Sequence, residues 1–260
     1  MEHIALVGST LFYFLSFCFT LIAVKAGQLR PGSFSFGAMA GGVVCQTWFL
    51  MLRGGVEHAC PIGTLAETLI FLSWSVGLFY MVIGPVYRIS LMGFFTAPLI
   101  LILQGSAFFL PHAARFPIVH PNPWVEAHAA LSLIAFGAWG LSCVAGIMFL
   151  VQERQLKSQH PSPIFHHLPP ISLLAEVTVR LLWVGFILLT ISFIAGFLAN
   201  LVISGMKFWS SLALWGLYFI ILLMHRGRLI SDHRLAMFSM GVFLLALLIL
   251  PCLHYFSIHL

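Results

Sequence analysis

Long hydrophobic runs alternate with short breaks rich in glycine, proline, histidine and charge along the whole chain. A helix needs about 20 predominantly apolar residues to cross a bilayer. Eight runs meet this requirement, and they cover residues 4–24, 34–52, 62–84, 90–110, 125–151, 181–203, 209–225 and 235–253. A backbone inside lipid must satisfy its own hydrogen bonds, and a continuous apolar run does so as a helix. The pattern therefore predicts about eight transmembrane helices.

The composition excludes a water-soluble protein. Hydrophobic residues make up 61% of the 260 residues, and only 7% are charged, whereas a soluble domain carries about 25% charged residues. A soluble enzyme and a nucleic-acid-binding module are therefore excluded, and no nucleic-acid partner is expected. The longest break, residues 152–180, is too short for a separate domain. We expect an all-α, polytopic bundle, surrounded by the lipid bilayer, that forms one transmembrane domain over residues 1–260.

The distribution of cations predicts the orientation. The first run lacks the basic leader of a signal peptide, and its positive charges, Lys25 and Arg30, follow it. With the N-terminus outside, the inner loops hold Lys25, Arg30, Arg88, Arg154, Lys157, Arg180, Arg226, Arg228 and Arg234, and the outer loops hold Arg53, Arg115 and Lys207. Because cytoplasmic loops carry an excess of Lys and Arg, both termini are predicted to be extracytoplasmic.

Histidine is the most unusual polar residue of the chain, with twelve copies against seven acids. An ionisable group inside a span is costly and marks a functional site by default, and a neutral imidazole can ligate a metal. His128 lies one turn into the fifth run, and His254 closes the eighth. The predicted topology places both at the outer surface. Two such imidazoles are a common way to hold haem iron.

Other side chains extend this candidate haem site. Trp124, Trp209 and Trp215 belong to the same outward half and offer flat apolar walls. His225 ends the seventh run on the inner side, and Gln46 is a polar residue well inside the second. The alternative is that the histidines bind headgroups and water at the interface, with the tryptophans in the usual aromatic belt.

Two further features stay open on the sequence alone. Glu67 is either a helix-start residue of an interfacial turn or a buried partner for Arg53. The five cysteines include no C-x-x-C pair, which argues against a thiol oxidoreductase. Cys60 and Cys252 both fall near the predicted outer face, and nothing in the sequence indicates that they meet.

Local patterns around these residues resemble the cytochrome c assembly family of membrane proteins, which includes the CcsA, CcmC, HemX and YpjD branches. The similar segments are Arg53 through Pro61 to Glu67-Thr-Leu-Ile-Phe71-Leu-Ser-Trp74; His128-Ala-Ala-Leu-Ser-Leu, with Gln152-Glu153-Arg-Gln-Leu156-Lys157 and Leu168-Pro169; Lys207 through Trp215 to His225-Arg-Gly-Arg228; and Pro251-Cys-Leu-His254-Tyr255. The resemblance covers residues from about 43 to 256, and the short loops are nearest the HemX and YpjD branch.

The resemblance implies a cofactor, partners and roles. By position, His128 and His254 correspond to the two outer histidines that ligate a non-covalent, b-type haem. His225 corresponds to a transmembrane histidine that receives haem from the inner side. The family's tryptophan-rich loop is reduced to Lys207, Trp209 and Trp215, and Gln46 stands where the YpjD branch carries a histidine. A CcsB-like partner, apocytochrome c and a bacterial inner (plasma) membrane are also implied.

Three functions remain open at this stage. The first is haem handling in c-type cytochrome biogenesis, with haem presented at the outer face. The second is a HemX-like membrane regulator of tetrapyrrole biosynthesis that acts through a protein partner. The third is a small-solute transporter, against which stands the lack of an evident internal repeat. No G-x-S-x-G, H-E-x-x-H or nucleotide fingerprint occurs, so we predict no catalytic residues and no independent enzyme activity.

Overall fold

A computed structural model describes residues 2–26, 33–57, 59–86, 91–110, 122–158, 169–199 and 206–259. For residues 33, 57, 206–207 and 252–259 it describes the backbone alone. Every regular element in these ranges is an α-helix, which confirms the predicted all-α class. The helices are α1 (Glu2–Lys25), α2 (Ser33–Glu57), α3 (Leu65–Val86), α4 (Met92–Phe108), α5 (Pro123–Ser158), α6 (Ile171–Leu198), α7 (Met206–Arg226) and α8 (Asp232–His259).

The helices have the length and composition of membrane spans. Seven of the helices in the described ranges are long and apolar enough to cross a bilayer. The remaining helix, α4, is an apolar helix of 17 residues, which extends about 25 Å at 1.5 Å per residue. This length is slightly below the hydrocarbon thickness of about 30 Å. The predicted helical membrane bundle is thereby confirmed.

Two helices are longer than their hydrophobic runs. α5 continues to Ser158, beyond the predicted end at 151, and α6 begins at Ile171 and not at 181. Charged pairs stabilise both extensions, because Lys157 donates to Glu153 over 2.7 Å and Arg180 pairs with Glu176, each at i,i+4 spacing. The charged residues of these pairs interrupt the hydrophobic pattern, so the predicted runs stopped short of both helix ends.

α5 is the central helix of the bundle. In its most apolar stretch 78% of the residues are buried, against 22% for α7. It packs against α3, α4, α6 and α8. A Cβ atom at Gly137 would lie 2.3 Å from the Cβ of Ser75, so α5 and α3 approach closely where this glycine lies. Such small residues let helices associate inside a membrane.

The buried face of α1 is held mainly by polar contacts. Its buried residues recur at a spacing of three and four. Ser16 donates to the carbonyl oxygen of Ser35 over 2.8 Å, and Thr20 shares a hydrogen bond with the Ser35 hydroxyl. Gln104 of α4 donates to Ser9 over 2.6 Å. Hydrogen bonds of this kind join helices in lipid, where no water competes for them.

The contacts at the two ends of the bundle are those of neighbouring helices that run antiparallel. Arg53 at the end of α2 lies 3.2 Å from Glu2 of α1 and 3.1 Å from Glu67 of α3. At the other end, His233 of α8 contacts Glu153 of α5. We call the first end outer and the second inner, following the predicted orientation. Which end faces the cytoplasm, and that both termini lie outside, remain predictions.

Candidate functional site

The start of α5 places His128 at the outer end of the bundle. Asn122 caps this helix, because its side-chain oxygen accepts from the Trp124 N–H at 3.0 Å and its carbonyl accepts from Glu126. Pro123 occupies the first helical position, where its missing N–H costs nothing. The cap therefore fixes where α5 begins, and His128 follows in the second turn.

His128 is anchored to a neighbouring helix. Its Nδ1 lies 2.7 Å from the backbone carbonyl oxygen of Ser192 in α6. The Ser192 hydroxyl donates to the His128 carbonyl over 2.7 Å and lies 2.7 Å from the Ser132 hydroxyl. Ser192 is fully buried and His128 half-buried. These contacts hold the imidazole between α5 and α6.

The anchoring bond determines the tautomer of His128. A carbonyl oxygen can only accept, so Nδ1 must carry the proton. The Nε2 atom then keeps its lone pair, and it makes no hydrogen bond to any of the described residues. Histidines that ligate metals almost always donate their other ring N–H to a carbonyl or carboxylate in this way.

A glycine and a row of aromatic rings surround the imidazole. A Cβ atom at Gly196 would lie 3.0 Å from His128 Nδ1, so the ring rests directly on this glycine. The Phe193 ring lies 6.5 Å from the imidazole centroid. Phe208 is 6.3 Å from Phe193, and Trp209 is 5.6 Å from Phe208. These rings line the outer end of α6 and α7 with apolar surface.

The predicted tryptophans occupy different surroundings. Trp209 is 59% exposed and Trp124 is 48% exposed, as expected for residues of an aromatic belt or an open wall. Trp215 instead lies inside the interface of α6 and α7, where its indole N–H donates to Thr190 over 3.0 Å and its ring stacks on Phe186 at 5.2 Å. Trp215 therefore holds two helices together in this arrangement.

Two other predicted site residues have no described side chain. The backbone of α8 runs through His254, and the backbone of α7 runs through Lys207. The side chains of both residues, and that of Cys252, lie outside the described part of the chain. The predicted pairing of His128 with His254 therefore stays a prediction.

Gln46 is the centre of a polar network that joins three helices. It is fully buried. Its oxygen accepts from Tyr13 at 2.6 Å, and its amide nitrogen donates to the Ile70 carbonyl at 2.8 Å and to the Ser73 hydroxyl at 2.6 Å. Both amide hydrogens are therefore used between α1, α2 and α3. Gln46 could donate to a cofactor only by giving up one of these two donated bonds.

Glu67 fills both of the roles that the sequence left open. Its backbone N–H donates to the Thr64 hydroxyl, and its carboxylate accepts from the Thr64 N–H at 3.1 Å, which is a capping box at the start of α3. The same carboxylate, only 5% exposed, accepts from Arg53 at 3.1 Å. Cap and ion pair together fix the loop before α3.

That loop also contacts the start of α5. The Cys60 N–H donates to the Glu126 carboxylate over 3.2 Å. Burial raises the pKa of the Cys60 thiol, and the charge of Glu126 raises it further. Glu126 lies two residues before His128, so this contact couples the outer loop to the candidate site.

His225 lies at the opposite end from His128. It lines an inner cleft of about 720 Å³ between α6, α7 and the start of α8. Its Nδ1 is buried without a hydrogen-bond partner among the described residues, and the Asp232 carboxylate lies 3.9 Å away. The structure therefore separates His225 and His128 into two sites.

Sequence reasoning missed Ser192 and Gly196, the residues that hold His128. Neither carries charge, and both lie within an apolar run. The available signal was their spacing, because small residues four apart mark the faces on which membrane helices approach closely.

The fold and the outer histidine define a polytopic helical membrane protein with a histidine site at one end. A family model described as Cytochrome C assembly protein matches residues 62–259. The chain therefore belongs to the cytochrome c assembly protein family, an integral membrane family that handles haem for cytochrome c, as the resemblance indicated.

Individual relatives come from two branches. Protein HemX of Brevibacillus brevis is 26% identical over 203 residues, which cover 77% of this chain and 72% of that protein. Protein HemX of Bacillus subtilis (strain 168) is 22% identical over 219 residues, with 83% and 79% coverage. Cytochrome c biogenesis protein CcsA of Chlorella vulgaris is 30% identical over 140 residues, 50% of this chain and 44% of that protein. The CcsA match thus spans less than half of that protein.

Proposed function

We propose that this protein binds haem at its outer end and presents it during the biogenesis of c-type cytochromes, and that His128 and His254 would hold the haem iron. The observation that carries this proposal is the 2.7 Å contact between His128 Nδ1 and the Ser192 carbonyl. This contact leaves Nε2 with a free lone pair in half-buried surroundings, which is the state of an imidazole that binds iron. The Nε2 atom of His128 is therefore suited to bind haem iron.

The residues around His128 have separate roles in this proposal. The Ser192 carbonyl and Gly196 orient the imidazole, and Phe193, Phe208 and Trp209 exclude water from one side. Lys207 would pair with a haem propionate. When bound, the haem supplies iron and the vinyl groups that become linked to apocytochrome c, so the site must leave those groups accessible. The chain itself holds, orients and shields its ligand and carries out no catalysis of its own.

The proposal also places the protein in a cellular setting. The membrane is a bacterial inner membrane, and the haem is bound non-covalently. A CcsB-like membrane protein and apocytochrome c are the expected partners. In this setting Trp124 is a wall of the outer site, and His225 is a second, inner contact for haem.

A membrane regulator of tetrapyrrole biosynthesis is the second candidate. Alignment coverage favours it, because the HemX relatives match most of this chain and most of their own length, whereas the CcsA relative matches half of this chain. Such a regulator would act by binding a protein partner and would not need haem at the outer end.

Absorbance of the purified protein separates the two candidates. The full chain, expressed with haem supplied and purified in detergent, is expected to show a Soret band. His128→Ala and His254→Ala should each weaken or shift this band, and the double variant should remove it. His3→Ala, which changes an exposed histidine of α1 at the same end, is the matched control and should leave it intact. A wild-type protein without a Soret band would favour the regulator.

A further inference from the structure

The inner cleft is a second site, with chemistry of its own. The residues that line it are Val179, Trp183, Leu222, His225, Arg226, Arg228, Ile230, Ser231 and Asp232. They come from the inner ends of α6 and α7, the turn after α7 and the first residue of α8. The cleft is partly open and lies at the inner end of the bundle. It shares no lining residue with the outer site.

The charges that face this cleft favour an anion. Arg226 and Arg228 are the two arginines among the residues that line the cleft, and Asp232 is the single acidic one. The N-terminus of α8 also opens here, and Ser231 caps it by accepting from the Arg234 N–H. Because a helix N-terminus presents unpaired N–H groups and a partial positive charge, it adds to the attraction for an anion. The net charge of the residues that line the cleft is therefore positive.

The backbone conformation of Arg228 supports a built site. Its φ is 57°, the left-handed region in which glycine is usual. Leu229 donates to the Met224 carbonyl and Arg228 donates to the His225 carbonyl, so α7 ends in a Schellman motif with Arg228 at the position that glycine normally takes. Gly227 precedes this position and does not occupy it. An arginine is thus kept in a backbone conformation that favours glycine, at a residue that lines the cleft.

The histidine of the cleft has an unused polar atom. His225 Nδ1 is buried and has no hydrogen-bond partner among the described residues. The Asp232 carboxylate at 3.9 Å is beyond hydrogen-bond distance. Buried polar atoms are normally paired, so an exception calls for a ligand. A phosphate oxygen between the imidazole and the two guanidiniums would satisfy it.

One wall of the cleft is apolar. Val179, Trp183, Leu222 and Ile230 form it, and Leu222 and Ile230 are buried. A free inorganic anion gains nothing from such a wall, whereas the glycerol backbone and first methylenes of a lipid do. Basic clefts between transmembrane helices on the cytoplasmic side are suited to anionic lipid headgroups.

We propose that the inner cleft binds the phosphate of an anionic phospholipid, with Arg226 and Arg228 on the phosphate and Asp232 accepting from the headgroup hydroxyls. Phosphatidylglycerol has both features. This site lies at the opposite end of the bundle from the outer haem site and shares no lining residue with it, although it includes His225, the residue proposed above as an inner contact for haem. It anchors the junction of α7 and α8 to the inner leaflet.

Native mass spectrometry of the full chain tests the proposal. The protein is released from nanodiscs that contain equal parts of phosphatidylglycerol and phosphatidylcholine with the same acyl chains. The wild-type protein should retain phosphatidylglycerol several-fold over phosphatidylcholine. The Arg226→Gln/Arg228→Gln variant should lose this preference. The matched control Arg154→Gln/Arg234→Gln removes the same charge from exposed residues of the inner end that do not line the cleft, and it should keep the preference.

Other outcomes would overturn the proposal. These are equal retention of the two lipids by the wild type, an unchanged preference in Arg226→Gln/Arg228→Gln, or an equal loss in the control. A stronger preference for phosphatidylethanolamine, measured in a second set of nanodiscs that contain this lipid and phosphatidylglycerol, would also overturn it, because Asp232 would then be selecting an ammonium. Added inorganic phosphate should weaken the retention of phosphatidylglycerol. If delipidated protein binds inorganic phosphate while showing no lipid preference, the site takes the free ion and the lipid proposal fails.

Arg228→Gly is the variant to use if the double substitution does not fold. It removes a guanidinium while relieving the left-handed strain, so the protein should be at least as stable as the wild type. It should still retain less phosphatidylglycerol. Retention equal to that of the wild type would contradict the role of Arg228.

Discussion

The Nδ1 atom of His128 in α5 lies 2.7 Å from the backbone carbonyl oxygen of Ser192 in α6. Sixty-four residues separate the two in the sequence, and their contact depends on the close packing of the two helices. Because the acceptor is a backbone atom, no side-chain substitution at position 192 removes it directly. The orientation of the imidazole is thus built into the helix pair, and displacing the ring is the practical way to disturb it.

Gly196→Ala should displace this ring. The new Cβ atom would lie 3.0 Å from His128 Nδ1, which is too close for an undisturbed contact. The imidazole must shift by a few tenths of an ångström, and its bond to Ser192 lengthens. Loss of such an orienting contact typically lowers metal affinity about 10-fold or more. Haem titration of the purified protein in detergent should show a loss of this size.

Gly216→Ala is the matched control, because a Cβ atom at Gly216 of α7 meets nothing within 4 Å. It makes the same chemical change in a neighbouring helix. Equal haem affinity in Gly196→Ala and Gly216→Ala would show that the contact between His128 and Gly196 does not influence haem binding.

Gln46→Leu should lower stability and leave the haem signal of the folded protein unchanged. The substitution removes the bonds to Tyr13, Ile70 and Ser73. At about 0.6 kcal/mol for each interhelical bond in a membrane protein, the loss is about 2 kcal/mol. Thermal unfolding in detergent measures the first effect, and the ratio of Soret to protein absorbance measures the second. A lower ratio at unchanged stability would show that Gln46 contacts the cofactor.

Cys60 should react slowly with alkylating reagents. Burial and the Glu126 charge both raise the pKa of its thiol, and only the thiolate is the nucleophile. At any pH below that pKa the reactive fraction is therefore smaller than in a free thiol. In a variant that retains Cys60 as its sole cysteine, maleimide labelling at pH 8 should be slower than labelling of glutathione. Glu126→Gln keeps an acceptor for the Cys60 N–H but removes the charge, so it should speed labelling. No change would mean that burial alone controls the thiol.

Arg228→Gly and Arg228→Ala should differ in stability. Both remove the guanidinium, but only glycine adopts a φ of 57° without strain. The glycine variant should unfold with a free energy about 1 kcal/mol higher than the alanine variant. Thermal unfolding of the two proteins in the same detergent measures the difference. Equal stability would argue that α7 ends differently in solution.

Much of the fold follows from hydropathy alone. Each helix in the described ranges overlaps a predicted run, because an apolar stretch in lipid has no alternative to a helix. The end of α5 at Ser158 was not predicted, since charged helix leaves no hydrophobic signal. The start of α6 at Ile171 was missed because Glu176 and Arg180 interrupt its apolar residues. There the pairs Glu153–Lys157 and Glu176–Arg180 were the usable pattern.

The candidate site was less accessible to sequence reasoning. His128 is recognisable because an imidazole inside an apolar run is unusual. Its partners are a backbone carbonyl and a glycine, which have no distinctive side chain. They can be identified only when the packing of α5 on α6 is known. Glu67 shows a different limit, because the sequence presented its cap and its ion pair with Arg53 as alternatives although one carboxylate makes both.

Rescue by imidazole tests the central role of His128 most directly. The ferric spectrum of the wild-type protein should be that of a haem with two imidazole ligands. His128→Gly should lose this spectrum and regain it when millimolar imidazole is added, because the free ligand enters the space that the ring vacated. A His128→Gly protein with the wild-type spectrum in the absence of imidazole would contradict the assignment of His128 as an axial ligand.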